Sequence, residues 1–309
     1  MSPSLTERLR ERVQAARATI SADASRPRRN HLQKHPLLEN LESRELLTIN
    51  LFDYTTEIDT FRSQPSGIVN GPDGFLWITD EGNPDRIIRM SVDGSFDPKT
   101  DIFTLSPNIQ GPNDITVGSD GNLWITSQTP GNQIVRLSPY GELTRIDVGP
   151  PGTNPRGIIN GPDGNLWFAL PGLNGASGGK VGRIILDPAR GTPLTVETFA
   201  LPGTAMGPND FAVGSDNKLY LTLSMSNQIA VVDALAAVPT VQIVANTGAN
   251  SAPAEIVAGS DGNLWFTLPQ ANALGRLTPG SNVLLPNIQL TGDVNPRGIV
   301  AGPDNTLYV

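Results

Sequence analysis

One short pattern returns six times along this chain. It reads Gly-(Pro/Ser)-Asp-(Gly/Asn)-x-Leu-(Trp/Tyr), in the segments "GPDGFLWIT", "GSDGNLWIT", "GPDGNLWFA", "GSDNKLYLT", "GSDGNLWFT" and "GPDNTLYV". Its aspartates are Asp73, Asp120, Asp163, Asp216, Asp261 and Asp304, spaced 47, 43, 53, 45 and 43 residues apart. A period of that length marks similar units stacked side by side, each burying its apolar face on the next. Asp-Gly and Asp-Asn suit tight hairpin turns, because Gly and Asn tolerate positive φ. Apolar stretches flank the turn, "GIVN" before and "FLWIT" after in the first repeat, so each motif predicts a β-hairpin.

Between the hairpins lies a second pair of predicted strands, as in "NQIVRLSPYGELTRIDV". Four short strands in each unit give an all-β fold class, a β-propeller of four-stranded blades. The 32 glycines and 27 prolines fit many tight turns. All four tryptophans (Trp77, Trp124, Trp167, Trp265) fall at one repeat position, with Tyr220 and Tyr308 in the other two units. A large ring repeated in every unit is expected to pack between neighbours rather than form a binding cage. Arg89, Arg136, Arg183 and Arg276 recur in the third strands and read as solvated structural positions.

The two ends complement each other. Six front hairpins are present, but only five are followed by a rear pair of strands. Residues 49–62, "INLFDYTTEIDTFR", read as a rear pair without a front hairpin. Joining the two would give six blades, closed by N- and C-terminal strands, and would remove exposed edges. Seven blades is the expectation should the chain be a fragment. The predicted organisation is a basic N-terminal tail over 1–48 and the propeller over 49–309.

Charge is split along the same line. Residues 1–36 hold eight Lys/Arg against Glu7, Glu11 and Asp23, whereas the rest holds 14 basic and 27 acidic residues. So acidic a body argues against nucleic acid as a partner. Cysteine is absent, which excludes disulfides and thiolate chemistry. No stretch is long and apolar enough to span a membrane as a helix. Within the tail, Leu5, Leu9, Val13, Ala16 and Ile20 recur at helical spacing, and Ser4 with Glu7 forms a capping-box pattern. The segment "LLENLESRELLT" resembles the Leu-Glu-x-Arg-x-Leu-Leu-Ser/Thr element of exported bacterial surface proteins, through Leu41, Glu42, Arg44, Leu46, Leu47 and Thr48. The resemblance implies a secreted or cell-surface protein.

Across 49–309 the repeated Pro-x-Gly-Ile, "GPDGNLWF" and Asn-x-Ile-x-Arg-Leu elements resemble the virginiamycin B lyase (streptogramin lyase) family of propellers. Members of known activity linearise a cyclic depsipeptide antibiotic by elimination, with a divalent metal such as magnesium. The resemblance places two histidines after the repeat proline, and glutamates after the Trp strand. This chain departs there. After the proline come Ser66, Asn113, Arg156, Asn209, Ala254 and Arg297, and the two histidines, His31 and His35, lie in the tail. After the Trp strand, acid survives only as Asp80-Glu81. Taking a proton from beside a carbonyl needs a base poised near neutrality, which histidine supplies and a carboxylate supplies only when its pKa is raised. Asp80 and Glu81 are the remaining candidates for catalysis or for a metal, and magnesium is the cofactor only if the lyase reading holds.

The residues after each proline should cluster near the central channel. Asn113, Asp114, Arg156, Asn209, Asp210, Glu255 and Arg297 form the candidate ligand-binding set. The plainer reading is that the Asn and Asp cap turns and pair with arginines of adjacent blades; the sharper one is a polar funnel for a cation or small polar ligand. With Asp80 and Glu81, five carboxylates would line it. Three functions fit: a non-catalytic, monomeric propeller that binds a small polar ligand or protein partner through its face; a displaced-site lyase conferring antibiotic resistance; or a structural or adhesive repeat unit.

Overall fold

A computed structural model describes residues 64–309 except 83, 106, 130–131, 173–178, 187–192 and 303–304. The predicted tail helix, the export-like element, residues 49–62 and both histidines lie outside the described residues. The fold is all-β. A first antiparallel meander holds β1 (Pro65–Asn70), β2 (Leu76–Asp80), β3 (Arg86–Met90) and β4 (Ile102–Thr104). A second holds β5 (Gln110–Val117), β6 (Leu123–Thr129), β7 (Gln133–Leu137) and β8 (Leu143–Asp147). The third runs through β9 (Ile158–Asn160), β10 (Leu166–Leu170), β11 (Lys180–Leu186) and β12 (Pro193–Ala200). The fourth comprises β13 (Pro208–Val213), β14 (Leu219–Leu223), β15 (Gln228–Val232) and β16 (Val241–Asn246). The fifth comprises β17 (Ile256–Ala258), β18 (Leu264–Leu268), β19 (Ala273–Thr278) and β20 (Val283–Gln289). A pair, β21 (Val300–Ala301) and β22 (Leu307–Tyr308), follows.

The first strands of successive meanders are neighbours: β1 lies against β5, β5 against β9, β9 against β13, β13 against β17 and β17 against β21. This is the arrangement of propeller blades, first strands innermost. The core lies between blades. On β10, Trp167 and Ala169 join the cluster shared with the fourth blade, while Leu166, Phe168 and Leu170 join the one shared with the second. That is the period-two alternation of a strand buried on both faces.

The repeat motif forms one hydrogen-bonded unit. The indole N–H donates to Oδ1 of the motif aspartate in Trp77–Asp73, Trp124–Asp120, Trp167–Asp163 and Trp265–Asp261, at 2.9 to 3.1 Å. Opposite each tryptophan on the third strand stands Arg89, Arg136, Arg183 or Arg276. Their guanidinium groups reach the same aspartates at 3.1 to 3.8 Å, and Arg183 lies 5.2 Å from the Trp167 ring. These arginines are therefore not solvated positions. They are half-buried and tie the hairpin to the third strand, because a carboxylate that already accepts an indole N–H favours a cation on its second oxygen. The motif glycine is required by close approach: a Cβ on Gly161 would fall 2.5 Å from Trp167 Cδ1 and 2.7 Å from Asp163 Oδ1. Where tyrosine replaces tryptophan, Tyr220 donates to Asp216 Oδ2, and Asp216 Oδ1 is left buried without a partner among the described residues.

Candidate functional site

The site is built at the start of each first strand. The residue before the repeat proline is left-handed in five units: Gly111 (φ 59°), Asn154 (46°), Gly207 (71°), Ala252 (46°) and Asn295 (48°). Proline then fixes its own φ near −65°, so the chain enters the strand through a sharp corner. An alanine in this region costs about 1–2 kcal/mol. Ala252 is held there by its N–H, which donates to Asn227 Oδ1 at 2.8 Å. The corner presents the residue after the proline at the blade ends.

Those residues converge. Ser66, Asn113, Arg156, Asn209, Ala254 and Arg297 line one cavity of about 540 Å³, here called the mouth, together with Glu255. An adjoining cavity of about 550 Å³, the chamber, is lined by Asp114, Asp210 and Glu255, and also meets Arg156. All seven candidate ligand-binding residues thus border two neighbouring cavities. Gln128 and Gln270, in the mouth as well, escape sequence reasoning. Each sits at or just beyond the end of a Trp strand, where the family resemblance directs attention to acids.

Asp80 stands elsewhere. It lines neither cavity; its carboxylate binds Arg86 at 2.7 Å and accepts the Gln64 and Gly82 N–H groups. Glu81 lines neither cavity either, so the funnel holds three of the five expected carboxylates.

The funnel acids bond neither to arginine nor to their own turns alone. Asp114 Oδ2 accepts the Ile158 N–H at 2.7 Å, Asp210 Oδ2 the Ile256 N–H at 2.9 Å, and Glu255 Oε2 the Ile299 N–H at 3.0 Å. Each acid thereby latches its blade to the next. Only the asparagine half of the expected pairing is seen, Arg156 Nη1 donating to Asn209 Oδ1 at 2.9 Å. Where the first strand carries glycine instead, backbone closes the gap: Gly157 N–H donates to Asn209 O at 2.8 Å, and a Cβ there would sit 2.5 Å from that oxygen.

Burial pushes the Asp114 carboxyl up to about 6; the two backbone donors oppose the shift, and the Glu255 charge adds to it. Asp210 is raised well above the ordinary carboxylate range, by burial first and then by Asp114. Burial raises Glu255 too. Burial thus disfavours the charged forms of all three acids that border the chamber. Arg156 and Arg297, which border the mouth, form no ion pair with any described residue.

Magnesium, which the family resemblance implies, does not fit these residues. No group of three or more His, Asp or Glu side chains among the described residues is arranged to hold a metal ion. The funnel acids each turn an oxygen to a neighbouring blade's N–H.

Comparison with known proteins places this geometry. The virginiamycin B lyase family matches residues 53–187 and 98–309. The chain belongs to that family. Among solved structures, virginiamycin B lyase from Staphylococcus aureus is 26% identical over 80% of each chain, with a TM-score of 0.65. A catalytically inactive histidine-to-alanine variant of the Staphylococcus aureus enzyme with quinupristin is 27% identical over 80% of each chain, with a TM-score of 0.64. The calcium-binding protein regucalcin from Agrobacterium tumefaciens shares the fold at 18% identity, over 78% of this chain and 79% of its own, with a TM-score of 0.57. Curated proteins gave no match. Within this virginiamycin B lyase family member, the residues after the repeat proline, among which the family resemblance places two histidines, are the mouth residues Ser66, Asn113, Arg156, Asn209, Ala254 and Arg297.

Proposed function

We propose that this family member is a non-catalytic binding propeller that takes a small polar ligand in its mouth. The observation behind this reading is the lining itself. Ser66, Asn113, Gln128, Asn209 and Gln270 offer hydrogen bonds, Arg156 and Arg297 offer charge, and the carboxylate of the lining, Glu255, gives one oxygen to the Ile299 N–H. In the Staphylococcus aureus enzyme, changing one histidine to alanine gives a catalytically inactive protein, and no histidine occurs between residues 64 and 309 here. The described mouth lining holds no aromatic ring and, among apolar side chains, only Ala252, Ala254 and Pro269. A large, partly apolar cyclic depsipeptide would find little surface to desolvate against.

A thermal-shift screen of small polar compounds (free amino acids, dipeptides, sugars and polyols) tests this reading. Mass action predicts that a ligand at 100 times its Kd stabilises the protein by about 2.7 kcal/mol. At least one such compound should raise the melting temperature of the full chain, and Arg297→Ala should abolish the shift. A screen with no hit in any class contradicts the binding reading and leaves the structural or adhesive repeat as the better account.

The same proposal includes a six-bladed ring, monomeric and exported. Support for the ring is the pattern of a rear pair in residues 49–62, and for export the resemblance of residues 37–48 to the element of exported surface proteins. Mass mapping of protein recovered from cell-surface and culture fractions should find 49–309 as one protease-resistant unit. Recovery from cytoplasm alone, or a resistant core that begins near Gln64, would sink it.

A further inference from the structure

The funnel is electrically two-ended, which narrows the ligand class. This inference rests on the binding reading above and deepens it. Arg156 and Arg297 are exposed and border the mouth. Five other arginines differ: Arg86, Arg89, Arg136, Arg183 and Arg276 all close on carboxylates. Arg297 makes no side-chain hydrogen bond with a described residue, and Arg156 gives one N–H to a neutral amide. Their remaining donors form forks suited to a planar anion. In the adjoining chamber, Asp114, Asp210 and Glu255 are acids whose charged forms a ligand's cation would favour. Glu255 borders both cavities, and one of its oxygens, Oε1, is not engaged by the latch to Ile299.

We propose that the funnel selects a small zwitterion, a free amino acid or short peptide. Its carboxylate lies between Arg156 and Arg297, and its ammonium group points down to Glu255, with Asp114 and Asp210 beneath. A ligand bearing only an anion would meet the acids below, and a ligand bearing only a cation would have to pass two unpaired guanidinium groups. A zwitterion satisfies both ends at once. The mouth, at about 540 Å³, has room for a molecule of this size. An ammonium beside the raised carboxyls of Asp114 and Asp210 favours their ionised forms, so binding near pH 6 is accompanied by proton release.

The test is calorimetry on the full chain, with the twenty common amino acids and glycylglycine as probes. The tightest binder is then compared with its N-acetyl and carboxamide derivatives. Each capped derivative should bind about tenfold more weakly or worse, as expected for losing one charge-assisted contact. Arg297→Gln should weaken the zwitterion but leave the carboxamide unchanged; Glu255→Gln should weaken the zwitterion but leave the N-acetyl derivative unchanged. Circular dichroism checks that both variants fold, and the Glu255→Gln change retains a side-chain acceptor for the Ile299 N–H. Apparent enthalpies at pH 6 should differ between buffers of different ionisation enthalpy, in the direction of proton release. Capped derivatives that bind as well as the zwitterion overturn the inference. So does a thermal-shift screen in which only sugars or polyols bind, although the binding reading then stands. No binding by any class overturns both.

Discussion

Trp167→Ala is expected to cost about 3–5 kcal/mol of folding stability, the range for deleting a fully buried aromatic side chain. The indole is wholly buried between the third and fourth blades and stacks on Phe199 at a centroid distance of 5.4 Å. Its loss leaves a cavity, removes the ring beneath Arg183, and deprives Asp163 Oδ1 of its indole donor. The equivalent Trp265→Ala should cost distinctly less, because Trp265 is only half-buried and the Asp261 side chain is 39% exposed. Guanidinium denaturation of both variants measures the difference. Equal costs, or a cost below about 1 kcal/mol for Trp167→Ala, would mean that the ring does not pack the blade interface as described.

The second large effect is a pH dependence that runs against habit. Asp114 has its folded-state carboxyl at about 6 against an ordinary 3.8. Between those values the folded chain holds the proton more tightly than the unfolded chain, so stability from this group falls as pH rises. Above pH 6 the cost is no more than roughly 3 kcal/mol, and less to the extent that water in the chamber screens it. Asp210 and Glu255 push in the same direction. Asp261 pushes the other way: burial opposes its charged form, but hydrogen bonds from Asn263 and Trp265 outweigh that and lower its pKa, so its contribution is lost in acid. The Asp114 contribution to thermal stability should therefore be fully present below about pH 4 and lost as pH rises through 6, whereas Asp93, Asp101 and Asp261 contribute stability that is lost in acid. Asp114→Asn keeps an acceptor for the Ile158 N–H and removes the charge. It should raise the melting temperature at pH 7.5 by several degrees and change it little at pH 4. A melting temperature that Asp114→Asn lowers at both pH values would show the carboxylate to be a stabilising latch rather than a strained one.

Much of this architecture is legible in the sequence. The Asp-Gly turns mark the hairpins, and the fixed tryptophan position marks the packing between blades, because both depend on local rules that repeat. The arginines are not legible in the same way and read as solvated. Sequence spacing places Arg183 on the third strand, but only strand register sets it opposite Trp167 and within reach of Asp163. Asp80 reads from the sequence as an acid that follows the Trp strand, and only the fold shows Arg86, six residues on, folded back onto it.

One further regularity is present in the sequence and gains its meaning only from the structure. Repeats whose turn is Gly-Ser-Asp place an acid three residues after the glycine or alanine at the strand corner: Asp114, Asp210 and Glu255. Repeats with Gly-Pro-Asp place Gly67, Gly157 and Gly298 there. The serines link blades as the acids do, Ser119 donating to Gly164 O at 2.6 Å and Ser215 to Gly262 O at 3.2 Å. Acid and serine are thus two parts of one interface type. That pairing distinguishes the chamber acids, each of which latches two blades, from Arg156 and Arg297 above them, which close on no carboxylate among the described residues.

If the mouth binds without lyase chemistry, the family's own type of substrate should survive contact with it. The most direct test is to incubate the folded chain with quinupristin and magnesium, and to follow the substrate by chromatography coupled to mass spectrometry. The cyclic compound should be recovered intact. A linear product of unchanged mass, formed with this chain and abolished by a chelator, would contradict the binding reading and would require a base other than histidine within the propeller.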